Sequence, residues 1–112
     1  MPKNKDPAPG LISELRRGAI VLGVLSRLFE PRYGYSLVKE LEDKGMPVEA
    51  GTLYPLLRRL ESQGLLTSQW ETSEDKPRKY YIISENGNSV YKQLLSEWEK
   101  MKNSIDRLTD KV

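Results

Sequence analysis

The residues with the most distinctive chemistry are the polar side chains between the leucines of EAGTLYPLLRRLESQGLL, residues 49–66. Tyr54 and Arg58 lie one helical turn apart, and so do Pro55 and Arg59, which places two hydrogen-bonding ridges on one face of a helix. The free amides and the dipole at a helix N-terminus attract anions. This pattern therefore predicts a helix that presents one end and one face to an anionic surface.

The opposite face of the same helix is apolar. On a helical wheel its leucines fall on roughly a third of the circumference, which predicts that this side packs on a core. These residues are Leu53, Leu56, Leu57 and Leu60.

The composition argues against an enzyme. The 112 residues include no cysteine and no histidine, so the chain lacks a thiol nucleophile, the commonest general base and the commonest metal ligand. No paired acid site stands out among the carboxylates, and we predict no metal or cofactor. The net charge of +2 is too small to indicate nucleic acid by itself, so any basic surface must be local. The longest apolar run, Ala19 to Leu25, is far shorter than the ~20 residues that span a bilayer, and a cytoplasmic location is predicted.

Pro55 predicts where the polar helix begins. Proline costs about 3 kcal/mol in a helix interior but little in the first turn, so the helix is expected to start near Gly51 or Thr52. Thr52 can then cap the helix, and Gly51 lets the backbone come close to a neighbouring surface. A DNA major groove admits such a helix with its N-terminal end facing the bases.

Two structural alternatives remain for these side chains. Arg58 and Arg59 can form an ordinary solvated face that is salt-bridged to Glu61 or Glu42. Tyr54 can be a half-buried packing residue.

The elements around this helix predict a winged helix-turn-helix. Residues 1–10, rich in proline and lysine, are expected to form a flexible tail, or an arm that reaches a phosphate backbone. Helical spacing predicts a first helix from Leu11 to Phe29 and a second from Tyr35 to Lys44, with Gly45 at its C-terminal cap. Two strand-like runs, residues 65–72 and 78–83, predict a two-stranded hairpin, and Ser84 is a good N-cap for a last helix.

The tip of the hairpin carries the cations expected of a wing. Lys76, Arg78 and Lys79 lie at the tip and at the start of the return strand, where phosphate or minor-groove contacts are expected. A solvated turn is the alternative, because acidic residues precede them. Tyr80, Tyr81 and Trp70 are expected to pack on the sheet rather than to stack on bases.

The last helix has an apolar seam in steps of three and four residues. A seam sustained for about three heptads on a terminal helix predicts pairing with a second copy of the chain, and packing on the first helix alone is the alternative. The expected dimer residues are Tyr91, Leu94, Trp98, Met101, Ile105 and Leu108, with Val112 continuing the pattern.

Trp98 stands out within this seam. Its ring can be simple packing at a dimer axis. It can equally form one wall of a slot for a flat aromatic ligand, with space left by Ala19 and Gly23 on the first helix.

Three segments, RYGYSLVKEL, GTLYPLLRRLESQGLL and RKYYIIS, closely resemble the PadR family of bacterial transcriptional regulators. The single helix after the wing is similar to the short subfamily, whose members dimerise through that helix and are usually repressors relieved by small molecules, including phenolic acids or planar drugs. In some members a tryptophan matching Trp98 stacks on flat ligands. The resemblance implies DNA-contact residues in the reading helix, the supporting helix and the wing: Gly51, Thr52, Tyr54, Arg58, Tyr35, Lys39, Lys76, Arg78 and Lys79.

The sequence thus predicts a mainly α fold with a small β-hairpin. Residues 11–83 are expected to form a winged helix-turn-helix DNA-binding domain, and residues 84–112 a dimerisation helix. The expected function is a homodimeric repressor on a palindromic promoter site, released by a small aromatic effector. The alternative is a winged-helix protein-interaction module that does not bind DNA.

Overall fold

The computed structural model describes residues 6–73 and 75–110, and these form four helices and three strands. The mainly helical fold with one small sheet confirms the predicted fold class. In chain order the elements are α1 Ala8–Ser26, β1 Arg32–Tyr33, α2 Gly34–Asp43, α3 Ala50–Ser62, β2 Leu66–Glu71, β3 Arg78–Ile83 and α4 Glu85–Leu108.

The core lies where α1, α2 and α3 meet the base of the sheet. Leucines at helical spacing on each helix point into it, and the predicted apolar face of α3 is confirmed. Gly45 and Gly64 adopt positive φ angles of 90° and 80° just after α2 and α3, where glycine ends a helix without strain. The buried apolar residues are Val24, Leu25, Leu28, Leu37, Leu41, Val48, Leu53, Leu57, Leu60, Leu66 and Tyr81.

The sheet has three antiparallel strands in the order β1-β3-β2, so the predicted two-stranded hairpin was incomplete. The hairpin pairs Leu66 with Ile83 at its base and Glu71 with Arg78 at its far end. Strand β1 adds Arg32 and Tyr33 along the other edge of β3.

Helix α1 begins three residues earlier than Leu11, so residues 8–10 belong to the helix and not to a tail. Asp6 explains the earlier start, because its carboxylate accepts the amide of Ala8 at 3.0 Å. Prolines are tolerated in a first turn, where their missing N–H has no partner. The rest of the predicted tail, residues 1–5, lies outside the described residues.

Helix α3 also begins before the predicted start. Glu49 is the N-cap residue, and its carbonyl accepts the amides of Thr52 and Leu53, each at 2.9 Å. Thr52 is therefore not the cap, and Pro55 lies in the second turn. The missing Pro55 amide removes the usual bond to the carbonyl of Gly51, and Gly51 is exposed to water, which can satisfy that carbonyl.

Helix α4 begins at the base of the sheet. Ser84 caps it as predicted, because its side chain accepts the amide of Gly87 at 2.9 Å. The Ser84 amide in turn donates to the carbonyl of Leu65 at 3.0 Å. At Gly87 a Cβ would overlap that same Leu65 carbonyl oxygen, so the first turn of α4 packs directly on the backbone before β2. From there α4 runs along α1.

Candidate nucleic-acid interface

The alternative in which Arg58 and Arg59 form salt bridges within the chain does not hold for the polar face of α3 over the described residues. Gly51, Thr52, Arg58 and Arg59 are all exposed. Within residues 6–73 and 75–110, neither arginine side chain has an ion-pair or hydrogen-bond partner. Glu61, the expected internal partner, pairs with a lysine of the wing instead. The two guanidinium groups are therefore positioned to meet an external anion.

Tyr54 is half-buried, as the packing alternative proposed. Its ring lies against Gly34, the first residue of α2, where a Cβ would overlap the Tyr54 Cε1 atom. Glycine at this position allows α2 and α3 to approach closely. The packing fixes the ring at the junction of the two helices, so Tyr54 contributes to the surface as a rigid aromatic wall.

Arg78 ties the wing to the start of α2. Its Nη1 atom donates to the Tyr35 hydroxyl at 3.0 Å, and its guanidinium carbon lies 5.4 Å from the centre of the Tyr35 ring. Tyr33 stacks on Tyr35 at 5.8 Å and meets Tyr80 edge to face at 5.9 Å. Cation–π and aromatic contacts of this kind orient the wing relative to the helix-turn-helix.

Lys79, which was predicted as a phosphate contact, takes part in a network between the wing and α3. Its ammonium lies 3.7 Å from a carboxylate oxygen of Glu61 on α3. The other oxygen of Glu61 accepts the Ser68 hydroxyl at 2.6 Å. Strand alternation turns Lys79 to the side of the sheet that packs on α3, so its charge joins α3 to both wing strands.

The wing tip carries Lys76, which is exposed as predicted. The turn before it is organised by Glu71, whose carboxylate accepts the Ser73 amide at 3.1 Å. This hydrogen bond lowers the pKa of Glu71, because it favours the ionised carboxylate. The interaction is therefore complete at neutral pH and weakens as the pH falls through that lowered pKa.

Lys39 lies on the exposed side of α2. Its ammonium is 3.7 Å from Asp43 one turn later, and both side chains are largely exposed. Such a pair is weak in water, so Lys39 can exchange Asp43 for a phosphate.

A concave surface of about 320 Å³, here called the wing groove, separates the wing from the starts of α2 and α3. Four of the predicted contact residues line it, and these are Tyr35, Tyr54, Arg78 and Lys79. The groove also includes Trp70, which sequence reasoning assigned to sheet packing although its side chain is 62% exposed. The position of Trp70 in the sequence could have predicted this exposure, because Trp70 lies near the far end of β2, beyond the part of the hairpin that covers the core.

The sequence family follows from comparison with known proteins. The transcriptional regulator PadR-like family matches residues 21–93, more than half of the chain. The chain belongs to the PadR-like family.

A solved PadR family structure and two further transcriptional regulators are similar to this chain. A PadR family regulator from Eggerthella lenta is 49% identical, with a TM-score of 0.85 over 91% of both chains. A transcriptional regulator from Clostridium thermocellum is 34% identical, with a TM-score of 0.79 over 85% of this chain and 97% of the other. A transcriptional regulator of Mycobacterium tuberculosis is 35% identical over 69% of this chain and 73% of its own length.

Membership of the PadR-like family confirms the predicted class of function. The chain is a DNA-binding transcriptional regulator and not an enzyme. Residues 6–73 and 75–110 contain no group of three or more acidic side chains placed to hold a metal ion. Over the same residues, none of the helices has the length and hydropathy needed to cross a membrane.

The seam on α4 of this PadR-like chain divides into two parts. Tyr91 and Leu94 pack within the chain, and Tyr91 meets Phe29 edge to face at 5.3 Å. Further along, the seam is uncovered: Met101, Ile105 and Leu108 are 55%, 56% and 78% exposed, and Trp98 is 39% exposed. Val112 lies outside the described residues.

A cleft of about 850 Å³ runs between α1 and α4. Ala19 and Trp98 both line it, as the slot hypothesis requires. Gly23 does not, because it faces the other side of α1, where a Cβ would meet the Met46 sulfur at 3.2 Å. The space next to Trp98 comes from Gly18 instead, one turn before Leu22 on the same side of α1.

Proposed function

We propose that this PadR-like regulator is a homodimeric repressor that places two copies of α3 in successive major grooves of a palindromic promoter site. The proposal that α3 reads DNA rests on Arg58. This side chain is exposed and has no ion-pair partner among the described residues, and the opposite face of its helix is buried. Arginine is the side chain that most often reads guanine in the major groove. Because promoter DNA is the target, the proposed location is the cytoplasm.

The proposed DNA contacts follow from the exposed surface. Gly51 and Thr52 would lie closest to the groove floor, with Arg58 and Arg59 further along the same face of α3. Other contacts would be to phosphates, from Lys39 on α2 and from Lys76 and Arg78 in the wing. Lys79 would act indirectly, by fixing the wing on α3.

Dimerisation through α4 is supported by the uncovered seam. A helix that leaves Met101, Ile105 and Leu108 in water loses favourable burial that a second copy would supply. Tyr91 and Leu94 would support the helix from within each protomer. A two-fold axis through α4 would separate the reading helices by one turn of DNA, about 34–36 Å.

Release by a ligand would act through the same helix. Trp98 and Ala19 line the cleft between α1 and α4, so a flat aromatic molecule bound there would alter the angle between the two helices. A ligand that binds another dimer geometry more tightly than the DNA-bound geometry increases the population of that other geometry, and the fraction of protein bound to DNA falls.

The test of DNA reading begins with selection of bound fragments from the genome of the source organism. Arg58→Ala is expected to weaken binding to a selected duplex by roughly 1–3 kcal/mol and to relax its sequence preference. Arg107→Ala is the matched control, because Arg107 is an exposed arginine on α4 and not on the proposed DNA-reading helix. Equal affinities for the two variants, with unchanged unfolding temperatures, would contradict the assignment of Arg58.

The ligand test is a titration of planar aromatic compounds that follows tryptophan fluorescence. Quenching is expected in the wild type and should disappear in Trp98→Ala. Quenching that persists in the variant would come from Trp70, and would refute the slot at Trp98.

A further inference from the structure

Trp70 is the most unexpected side chain of the wing. Trp70 is 62% exposed, which is unusual for a large apolar ring. The other described tryptophan, Trp98, lies in a cleft between helices. Trp70 is not among the buried core residues or those packed against them, whereas Tyr81 on the neighbouring strand is 5% exposed.

The ring is held in a defined position. Trp70 pairs across the hairpin with Lys79, whose ammonium lies 5.8 Å from the centre of the indole ring. Lys79 is itself fixed by Glu61 of α3. The indole is thus presented from a paired strand rather than from a loop, and little conformational entropy is lost when a partner contacts it.

Tyr35, Tyr54 and Arg78 line the wing groove together with Trp70. The groove therefore combines aromatic faces with a cation and several hydrogen-bond donors. The DNA backbone matches this chemistry, because each nucleotide presents an apolar deoxyribose ring next to an anionic phosphate. Backbone contacts make up half or more of protein–DNA hydrogen bonds and set the register of the protein.

We infer that Trp70 is a further DNA-contact residue, which packs on deoxyribose and donates its indole N–H to a phosphate of the strand that enters the wing groove. This inference rests on the proposed function, since it takes α3 to be in the adjacent major groove. It assigns the wing an apolar contact in addition to the ionic contacts of Lys76 and Arg78.

The first measurement is binding affinity for a duplex that the wild-type protein enriches from a random-sequence library. Trp70→Ala is expected to weaken binding about tenfold, while the slope of log affinity against log salt stays unchanged because the variant keeps every cation of the wing. Gln69→Ala is the control. Gln69 precedes Trp70 and points to the other side of β2, where it accepts the Tyr80 hydroxyl at 2.9 Å. Its replacement should change the affinity by less than about twofold.

The second measurement does not depend on the stability of an alanine variant. Addition of the same duplex should protect tryptophan fluorescence from quenching by acrylamide, and this protection should be absent in Trp70→Phe, where Trp98 is the remaining tryptophan.

The outcomes separate the inference from the function on which it rests. If the wild type binds the duplex but Trp70→Ala binds equally well, or the protection persists in Trp70→Phe, the role of Trp70 is refuted and the proposed function stands. If the library yields no bound duplex, the proposed function fails and the inference fails with it.

Discussion

The reading head, residues 32–83, and the second half of α4 expose opposite kinds of surface. In the head, Leu53, Leu57 and Leu60 are almost completely buried, and the exposed side of α3 carries arginines. In α4, Ile105 and Leu108 are exposed while the charged residues lie around them. The apolar side chains of the head are buried in a core shared with α1, and its exposed side carries charge, whereas the second half of α4 leaves an apolar surface uncovered.

The difference has a simple geometric cause. Helix α4 is 24 residues long, whereas α1 and the base of the sheet cover only its first turns. The N-terminal half of α1 is uncovered in the same way, with Leu11 and Leu15 largely exposed. The apolar side of α1 is therefore buried only in its second half.

The largest effect is expected from a core cavity in the head. Leu57→Ala should lower the free energy of unfolding by about 3 kcal/mol, because the side chain is fully buried. Urea unfolding should give this decrease at every protein concentration. Leu108→Ala is the contrasting variant, whose destabilisation should shrink on dilution as the dimer dissociates. The same concentration dependence in both variants would remove the distinction between the two regions.

The next effect concerns pairing through α4. Ile105→Glu should raise the dimer dissociation constant roughly 100-fold, since a carboxylate would have to be buried in the apolar seam. Sedimentation equilibrium measures this directly. Asn103→Glu adds the same charge at an exposed position away from the seam, and it should leave the dimer intact. Dissociation in both variants would indicate a general charge effect.

A smaller effect is expected at Gly51, where one substitution should change stability and DNA affinity in opposite directions. Nothing lies within 4 Å of a Cβ at this residue, so Gly51→Ala should fit and should stabilise α3 by about 0.5 kcal/mol. The added methyl group would lie between the helix end and DNA, and the affinity should fall about tenfold. Thermal unfolding tests the expected gain in stability, and DNA titration on the same samples tests the expected loss of affinity. A gain in stability with unchanged affinity would show that Gly51 is not at the interface.

The smallest effect is expected at the wing tip. Lys76→Ala removes one exposed cation, so binding should weaken about threefold for all sequences, and the salt slope should become less steep by about one for each phosphate that is no longer neutralised. Lys92→Ala on α4 removes the same charge from an exposed site away from the head. Identical slopes for the two variants would argue against a phosphate contact by Lys76.

Much of the fold follows from local sequence pattern. The spacing of the leucines identified the buried face of α3, and the Ser84 cap marked the start of α4. The two long strands follow from their β-branched and aromatic residues. Each of these signals is contained within one element, so no knowledge of the partner element was needed.

The features that were missed depend on contacts between distant residues. Strand β1 exists because Arg32 and Tyr33 meet β3, almost 50 residues later. The orientation of Gly23 towards Met46 depends on how α1 packs, and the pairing of Lys79 with Glu61 depends on the angle of the wing. The residue type determines which functional group a position carries, whereas tertiary packing determines which side chain that group contacts.

The most direct test of the account is the salt dependence of DNA binding by the wild-type protein, measured by fluorescence anisotropy on a selected duplex. If two heads each contact the backbone through Lys39, Lys76 and Arg78, log affinity should fall with log salt with a slope of about −5. A slope near zero, or equal affinity for any duplex of the same length, would contradict a DNA-reading head and would favour a protein-interaction module.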